Sequence, residues 1–271
     1  MFESKKSQEE SNEKTKSIKI SKERNKQKGM TVLVIYTFHE PGPLPEKFIE
    51  KAIFKDEYVD FLVVYNHPSE KIPYKLPKYV KKLYRKNLGY DFGAWSYGLE
   101  HDKNYEKYDY FIFVNGSAEG PFLPSNAFFT KWTDYYVNGI KENIHLFGST
   151  INCSAIKTEM DASKYAHVQT YAFCLDRKAV KYLRECKIFD LEHFTENLED
   201  TILQKEVAMS RKIIEKGWNI GCLHKYYRGT NFIDLSKNAI QFQYLGDVMA
   251  LCHMNRLWTK EELIFVKGNR M

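Results

Sequence analysis

Little in this chain would staple it or anchor it. Among its 271 residues there are only five cysteines, Cys153, Cys174, Cys186, Cys222 and Cys252, which are scattered and never spaced as CxxC. That pattern indicates neither a disulfide framework nor a zinc site. No apolar run approaches the ~18 residues that a membrane-crossing helix needs, and the N-terminus opens with Lys and Glu where a signal peptide needs an apolar stretch. No transmembrane segment is expected, and the cytoplasm is the expected compartment. Glycine and proline are sparse, 14 and 8 residues, and no internal repeat is visible, so fibrous and low-complexity classes fall away. Charge of one sign is lacking too, once it is located. The formal net charge is +6, but residues 1–30 hold 9 basic and 5 acidic side chains, leaving 32 against 30 in the rest. A nucleic-acid domain carries its basic stripe in the folded part, so no nucleic-acid partner is expected.

What the chain does have is apolar and aromatic material: 43% hydrophobic residues and 15% aromatic ones, with 19 Tyr and 18 Phe. This is the composition of a globular protein with a substantial core. Residues 1–29 differ, being Lys, Glu and Ser with almost no large apolar side chain, and they read as a flexible charged tail. The remaining residues, 30–271, read as one domain.

TVLVIYTF (Thr31 to Phe38) has the pattern of a fully buried strand ending in a loop. A helix over Pro45 to Lys55, a strand over Asp60 to Asn66 and a short strand or helical turn within KYVKKLYRKN follow. A helix from LGYDFGAWSYGLEH and a strand over Tyr108 to Asn115 come next. That alternation predicts an α/β fold with a largely parallel sheet. In the second half IHLFGSTINC, HVQTYAFCLD and WNIGCLH read as strands, LEDTILQKEVAMSRKIIEKG as a long amphipathic helix ended by Gly217, and TKEELIFVKGNR as a short strand.

Ligands of open α/β sheets bind beyond the carboxyl ends of the strands. The polar residues after each apolar run therefore become candidates: Thr37 to Glu40, Asn66-His67, Asn87 to Asp91 and Asn115 to Pro121. No GxGxxG and no P-loop is present. Asp91 reads equally as a helix N-cap and as an acceptor for a ribose or base. Asn115 and Ser117 read equally as turn residues and as contacts to a diphosphate or metal. His167 and Gln169, two residues apart on one strand, point the same way, a pairing more often found on a surface than in a site. Glu206, in the long helix, reads as a helix-dipole residue or as a general base, and pattern alone favours the first.

Six segments, taken in order, carry a resemblance. NLGYDFGAW, YDYFIFVNGSAEGPFLP with Trp132 shortly after, IHLFGSTINC, HVQTYAFCLDRKAV, EVAMSRKIIEKGWNIGCL and ELIFVKGNR are together similar to the rhamnan-synthesis and capsular-polysaccharide type glycosyltransferases of the GT-A fold. The resemblance runs from about Thr31 to Arg270. It implies a Rossmann-like, mostly parallel sheet flanked by helices in a single domain. It also implies transfer of a hexose or deoxyhexose, rhamnose-like or mannose-like, from a UDP-, GDP- or dTDP-sugar to a hydroxyl of a glycan or glycoprotein, by inverting single displacement.

By the same resemblance, Thr37 and Asn66 fall where such enzymes hold base and ribose, and Asn87, Gly89 and Asp91 match an Asn-x-Gly-x-Asp loop beside the nucleotide. Asn115 and Ser117 occupy the position of the Asp-x-Asp motif that grips ribose and a Mg²⁺ or Mn²⁺ ion, here Asn-Gly-Ser. Hard divalent cations prefer carboxylate oxygens, so metal use is in question at this position, with Glu119 as a substitute ligand and Lys225 or Arg228 as alternative partners for the diphosphate. Gly148, Thr150, Asn152, His167 and Gln169 resemble the donor-sugar and acceptor wall. Glu206 aligns with the acidic residue of inverting relatives and is the expected base, with Asp176 and Glu199 in reserve. The missing Asp-x-Asp keeps a second class open, a non-catalytic nucleotide- or carbohydrate-binding domain on the same fold.

Overall fold

The computed structural model describes residues 29–68, 71–127, 129–155, 161–238 and 258–268. The charged tail expected over 1–29 lies outside these residues except for Gly29, as does Cys252. The elements run β1 (Val32–Phe38), α1 (Pro43–Lys51), β2 (Val59–Tyr65), β3 (Lys81–Tyr84), α2 (Tyr90–Glu100), α3 (Asn104–Lys107), β4 (Tyr110–Asn115) and β5 (Ala118–Glu119). Then come α4 (Trp132–Val137), β6 (Ile144–Gly148), β7 (Ile151–Asn152), α5 (Ala162–Tyr165), β8 (His167–Val168), β9 (Ala172–Asp176) and α6 (Arg177–Glu185). The chain closes with α7 (Leu198–Thr201), a π-helical turn (Ile202–Val207), α8 (Ala208–Glu215), β10 (Asn219–Cys222), α9 (Lys260–Leu263) and β11 (Val266–Lys267).

Seven strands form the central sheet in the order β10-β6-β9-β4-β1-β2-β3. All pairs are parallel except those of β9, which runs against both β4 and β6. This is the mostly parallel, helix-flanked sheet that the alternating pattern predicts. β1 is buried throughout because helices and loops cover both of its faces, and that is why it reads as an unbroken apolar run. Its side chains divide by alternation: Leu33 and Ile35 enter one core with Trp95, Leu99 and Phe113, while Val34 and Tyr36 enter the other with Phe48, Trp132 and Phe265. The first core is centred on Trp95, which meets Phe92, Phe113 and Phe173 edge to face at ring distances of 5.2, 5.7 and 5.3 Å.

Several expected elements come out differently. The first helix ends at Lys51, four residues short of the sequence estimate. IHLFGSTINC and HVQTYAFCLD each break into two strands: β6 and β9 stay in the central sheet, whereas β7 and β8 pair with each other as a separate antiparallel ladder. The polar Ser149-Thr150 and Gln169-Thr170 steps mark the breaks. The helix from Leu198 is interrupted by the π turn, and the C-terminal stretch opens as a helical turn before β11.

Because Trp95 is fully buried and packs against three rings, Trp95→Ala should leave a cavity and lower the unfolding free energy by about 3–5 kcal/mol. Urea unfolding checks this: the midpoint should fall with the m-value unchanged, and a loss under about 1 kcal/mol would show that the core collapses around the missing ring.

Candidate functional site

The carboxyl ends of β1, β2, β3 and β4 lie on one edge of the sheet, and a network of hydrogen bonds ties their loops together. Asn66, immediately after β2, is its hub. Its side-chain oxygen accepts a bond from Arg85 Nη1 at 2.8 Å, and its Nδ2 donates to Asn87 Oδ1 at 2.5 Å and to the Tyr90 carbonyl at 3.3 Å. Arg85 Nη2 reaches the Leu88 carbonyl at 2.8 Å, and the guanidinium lies over the Phe194 ring. Asn66 and Asn87, expected beside the nucleotide, therefore hold each other. Gly89 has a φ of +69°, and a Cβ there would stand 2.4 Å from the Phe194 ring, so the turn requires glycine on both counts. Asn87, Gly89 and Tyr90 line a cavity of about 510 Å³ with Glu192, Phe194 and Glu196. Thr37, at the end of β1, is fully buried, and its hydroxyl has no hydrogen-bond partner among the described residues.

Asp91 sits in the first turn of α2. Gly89 holds the N-cap position and no side chain caps the helix, so the capping role open to Asp91 in the sequence is not taken up. Instead Asp91 Oδ2 accepts a 2.9 Å bond from Asn115 Nδ2 at the end of β4. Burial pushes the Asp91 carboxyl up to about 6, and the nearby negative charge of Glu206 adds to that rise. The Asn115 hydrogen bond and the positive charges of His39 and Lys267 oppose it. Five side chains from five segments thus share one electrostatic neighbourhood. Lys267 arrives there because β11 pairs antiparallel with β5, next to the Ser117 loop, with Gly268 N–H donating to the Ser117 carbonyl at 2.8 Å.

The Asn115-Gly116-Ser117 turn is saturated from within. Asn115 Oδ1 accepts from both the Ser117 amide (3.1 Å) and the Ser117 hydroxyl (2.7 Å), while its Nδ2 is spent on Asp91. As placed, this pair does not fit a divalent cation, and the carboxylate in contact with it is Asp91. Glu119, the expected substitute, forms an ion pair with Lys47 at 3.2 Å. Another acidic group, Asp190 with Glu192 and His193, is a loop cap: Asp190 accepts two backbone amides at 2.6 and 3.1 Å and pairs with Lys187 and His193.

The opposite wall comes from β6 onward. Gly148 ends β6 where a Cβ would lie 2.3 Å from Val168 Cγ1, so only glycine lets β8 approach. Asn152 faces His167 across the short β7–β8 ladder, and Gln169 N–H donates to the Thr150 carbonyl at 3.1 Å. Thr150, His167 and Gln169 are all buried, so the pair expected on a surface is interior. Glu206 Oε1 accepts the Thr170 amide at 3.1 Å and lies 3.7 Å from His167 Nε2. The π turn that carries Glu206 is anchored one residue earlier, where buried Lys205 donates to the Lys187 carbonyl at 2.6 Å. Single π turns inside α-helices are frequent at functional sites.

Other candidates lie elsewhere. Asp176 caps α6 and bonds His145 at 2.7 Å at the far end of β9, beside Tyr110 at the start of β4. Glu199 is exposed in α7. Lys225 is tied to Glu262, and Arg228 lines a separate cavity along β10. Sequence reading missed Arg85, Thr170 and Lys267. Thr170, inside HVQTYAFCLDRKAV, and Lys267, inside ELIFVKGNR, lay in segments that carry the resemblance, and Arg85 lay outside them.

The chain matches the family model described as RgpF, rhamnan synthesis protein F, over residues 62–245. It belongs to that family. The match bears out the resemblance seen in the sequence and, with it, the glycosyltransferase assignment. No curated protein matches. Among solved structures, the chain is similar to a 4-diphosphocytidyl-2C-methyl-D-erythritol synthase from Anaerococcus prevotii, with 12% identity, 66% of this chain and 85% of that one covered, and a TM-score of 0.39. It is also similar to a glycosyltransferase involved in glycosylation of the major capsid of PBCV-1, with 12% identity, 70% and 81% covered, and a TM-score of 0.36. At these scores neither likeness identifies an activity. Among the described residues no helix is long and apolar enough to cross a membrane.

The raised Asp91 carboxyl has a consequence for stability. Above pH 6 the native state carries an anion whose burial costs free energy, while the unfolded chain ionises it freely; near pH 4 the native group is neutral and that cost is gone. Asp91→Asn keeps the acceptor for Asn115, so it should unfold at a higher temperature than the wild type at pH 8. The gap should shrink as pH falls through 6 and vanish near pH 4. Melting curves at the three values check this, and an equal gap at all of them would show that Asp91 titrates as an ordinary carboxyl.

Proposed function

We propose that the chain transfers a hexose or deoxyhexose, rhamnose-like or mannose-like, from a nucleotide sugar to a hydroxyl of a glycan or glycoprotein acceptor, by inverting single displacement with Glu206 as general base. The observation that carries this reading is the position of Glu206. Its carboxylate shares the electrostatic neighbourhood of Asp91 at the carboxyl edge of the sheet, and a backbone amide holds one of its oxygens. The nucleotide of a UDP-, GDP- or dTDP-sugar sits over the Asn87–Asp91 and Asn115–Ser117 loops, and Gly148, Thr150, Asn152 and Gln169 border the sugar and acceptor, with His167, expected on the same wall, set behind Glu206.

Transfer needs two things of the protein. The acceptor hydroxyl must lose its proton as its oxygen attacks the anomeric carbon, which asks for a carboxylate on the attacking side. The departing diphosphate must be met by positive charge already in place, and Lys267, whose charge acts on Asp91, supplies it. A Mg²⁺ or Mn²⁺ ion would neutralise the same charge, but Asn115 and Ser117 are not arranged to hold one, so no step depends on it.

The saturated Asn115 turn also favours a second reading, a nucleotide- or carbohydrate-binding domain without catalysis. UDP-glucose, GDP-mannose and dTDP-rhamnose separate the two. A transferase releases nucleoside diphosphate from one of them, and ligand at a hundredfold excess over Kd raises the unfolding free energy by about 2.7 kcal/mol. A domain that only binds gives the stabilisation without the release. Glu206→Gln should lower turnover by about 10²–10⁴-fold with donor affinity unchanged, and near-normal turnover would remove Glu206 as the base. EDTA should leave most of the turnover in place; complete loss restored by Mn²⁺ would mean that a carboxylate such as Asp91 holds an ion after all.

A further inference from the structure

The ring beside Glu206 has its tautomer fixed by its surroundings. His167 is buried, and its Nδ1 lies 2.6 Å from the Tyr165 carbonyl oxygen. A carbonyl only accepts, so Nδ1 carries the hydrogen. In the neutral ring the lone pair is then on Nε2, which faces Glu206 Oε1 across 3.7 Å. Two acceptors confront each other at a separation too long for a direct hydrogen bond. One added proton turns that confrontation into an attraction. Thr170 N–H also addresses Oε1, so Oε2 is the oxygen left for a substrate hydroxyl. The pair is held from both sides: Val168 N–H, next to His167, donates to Ser210 Oγ at 2.9 Å, and Lys205, next to Glu206, is anchored to the Lys187 carbonyl.

We propose that His167 is a positioning residue for glycosyl transfer, which orients the Glu206 carboxylate and stores on Nε2 the proton that this carboxylate takes from the acceptor hydroxyl. The inference rests on Glu206 being the base. As the acceptor oxygen bonds to the anomeric carbon, the bond from that carbon to the diphosphate breaks and its electron pair leaves with the diphosphate. The hydroxyl proton passes to Oε2 of Glu206, and as the protonated carboxyl turns its O–H toward the ring and the 3.7 Å gap closes, the proton goes on to Nε2. The carboxylate is again an anion, now beside an imidazolium, and the ring releases its proton to solvent as the products leave. His167 touches Glu206, not the sugar, so its removal should act on the rate and leave donor binding alone.

The test compares the full-length wild type with His167→Gln, Glu206→Gln and the double variant. Turnover is read as nucleoside diphosphate released from whichever of UDP-glucose, GDP-mannose and dTDP-rhamnose the chain consumes. His167→Gln should lower kcat at least about tenfold with the donor KM unchanged, and should cause no further loss in the Glu206→Gln background, because groups that act as a unit are non-additive. A near-normal kcat for His167→Gln beside a slow Glu206→Gln overturns the inference and leaves the base in place. So does the same fold-loss in both backgrounds, which marks a merely structural role. Near-normal turnover of Glu206→Gln defeats the base assignment itself. Should the His167 variant fail to fold, ¹⁵N NMR of the wild-type chain at neutral pH decides: the resting ring should be protonated at Nδ1 and bare at Nε2, and a hydrogen on Nε2, with or without one on Nδ1, overturns the inference.

Discussion

The hydrogen bond from the Asn115 amide to the Asp91 carboxylate joins the end of a central strand to the first turn of the helix beneath it, and the candidate site is built around that junction. It crosses from β4 to α2, both packed in the same core, so the two ends can move only if the core moves with them. It also places a carboxylate in a poorly solvated spot, which is why the carboxyl rises to about 6. Several groups at this edge of the sheet act on Asp91 or on the turn that leads to it. Asn66, Asn87 and Arg85 brace the turn that leads into it, Lys267 and His39 offset its charge, and Glu206 adds a second negative charge nearby.

The two acidic groups have different surroundings, and the proposed division of labour rests on them. Asp91 accepts an amide from Asn115 and lies on the strand-end side, beside the turn that stands where Asp-x-Asp is expected. Glu206 is held by a backbone amide on a π turn and lies 3.7 Å from His167 Nε2. The first is suited to ordering the nucleotide side of a donor. The second is suited to receiving a proton. Neither role asks for a carboxylate at Asn115 or Ser117, whose polar atoms serve the turn itself.

How much of this was legible in the sequence depended on the range of the interactions. β1, β2 and β4 announced themselves because strands buried on both faces must be apolar throughout, and the loop from Asn87 to Asp91 stood out as a polar break after them. The split of HVQTYAFCLD was hidden because β8 and β9 are both apolar, and only the β7 partner reveals that the first belongs to another ladder. Arg85 was passed over in KYVKKLYRKN, since nothing local shows that Asn66 waits across the loop. Lys267 comes near enough for its charge to act on Asp91 only through the antiparallel pairing of β11 with β5, which joins residues far apart in the chain. The π turn left no mark in the periodicity, and His167 read as a surface residue because its burial comes from the ladder and the helix packed on it.

Stereochemistry tests the central claim most directly. One carboxylate base on the side of the sugar opposite the leaving diphosphate permits a single displacement, so the anomeric centre must invert. ¹H NMR of the sugar released from the donor, recorded before it mutarotates, reads that centre by its coupling constant. The account predicts the configuration opposite to that of the donor; release with the donor's own configuration would contradict it and leave Glu206 without the role assigned to it.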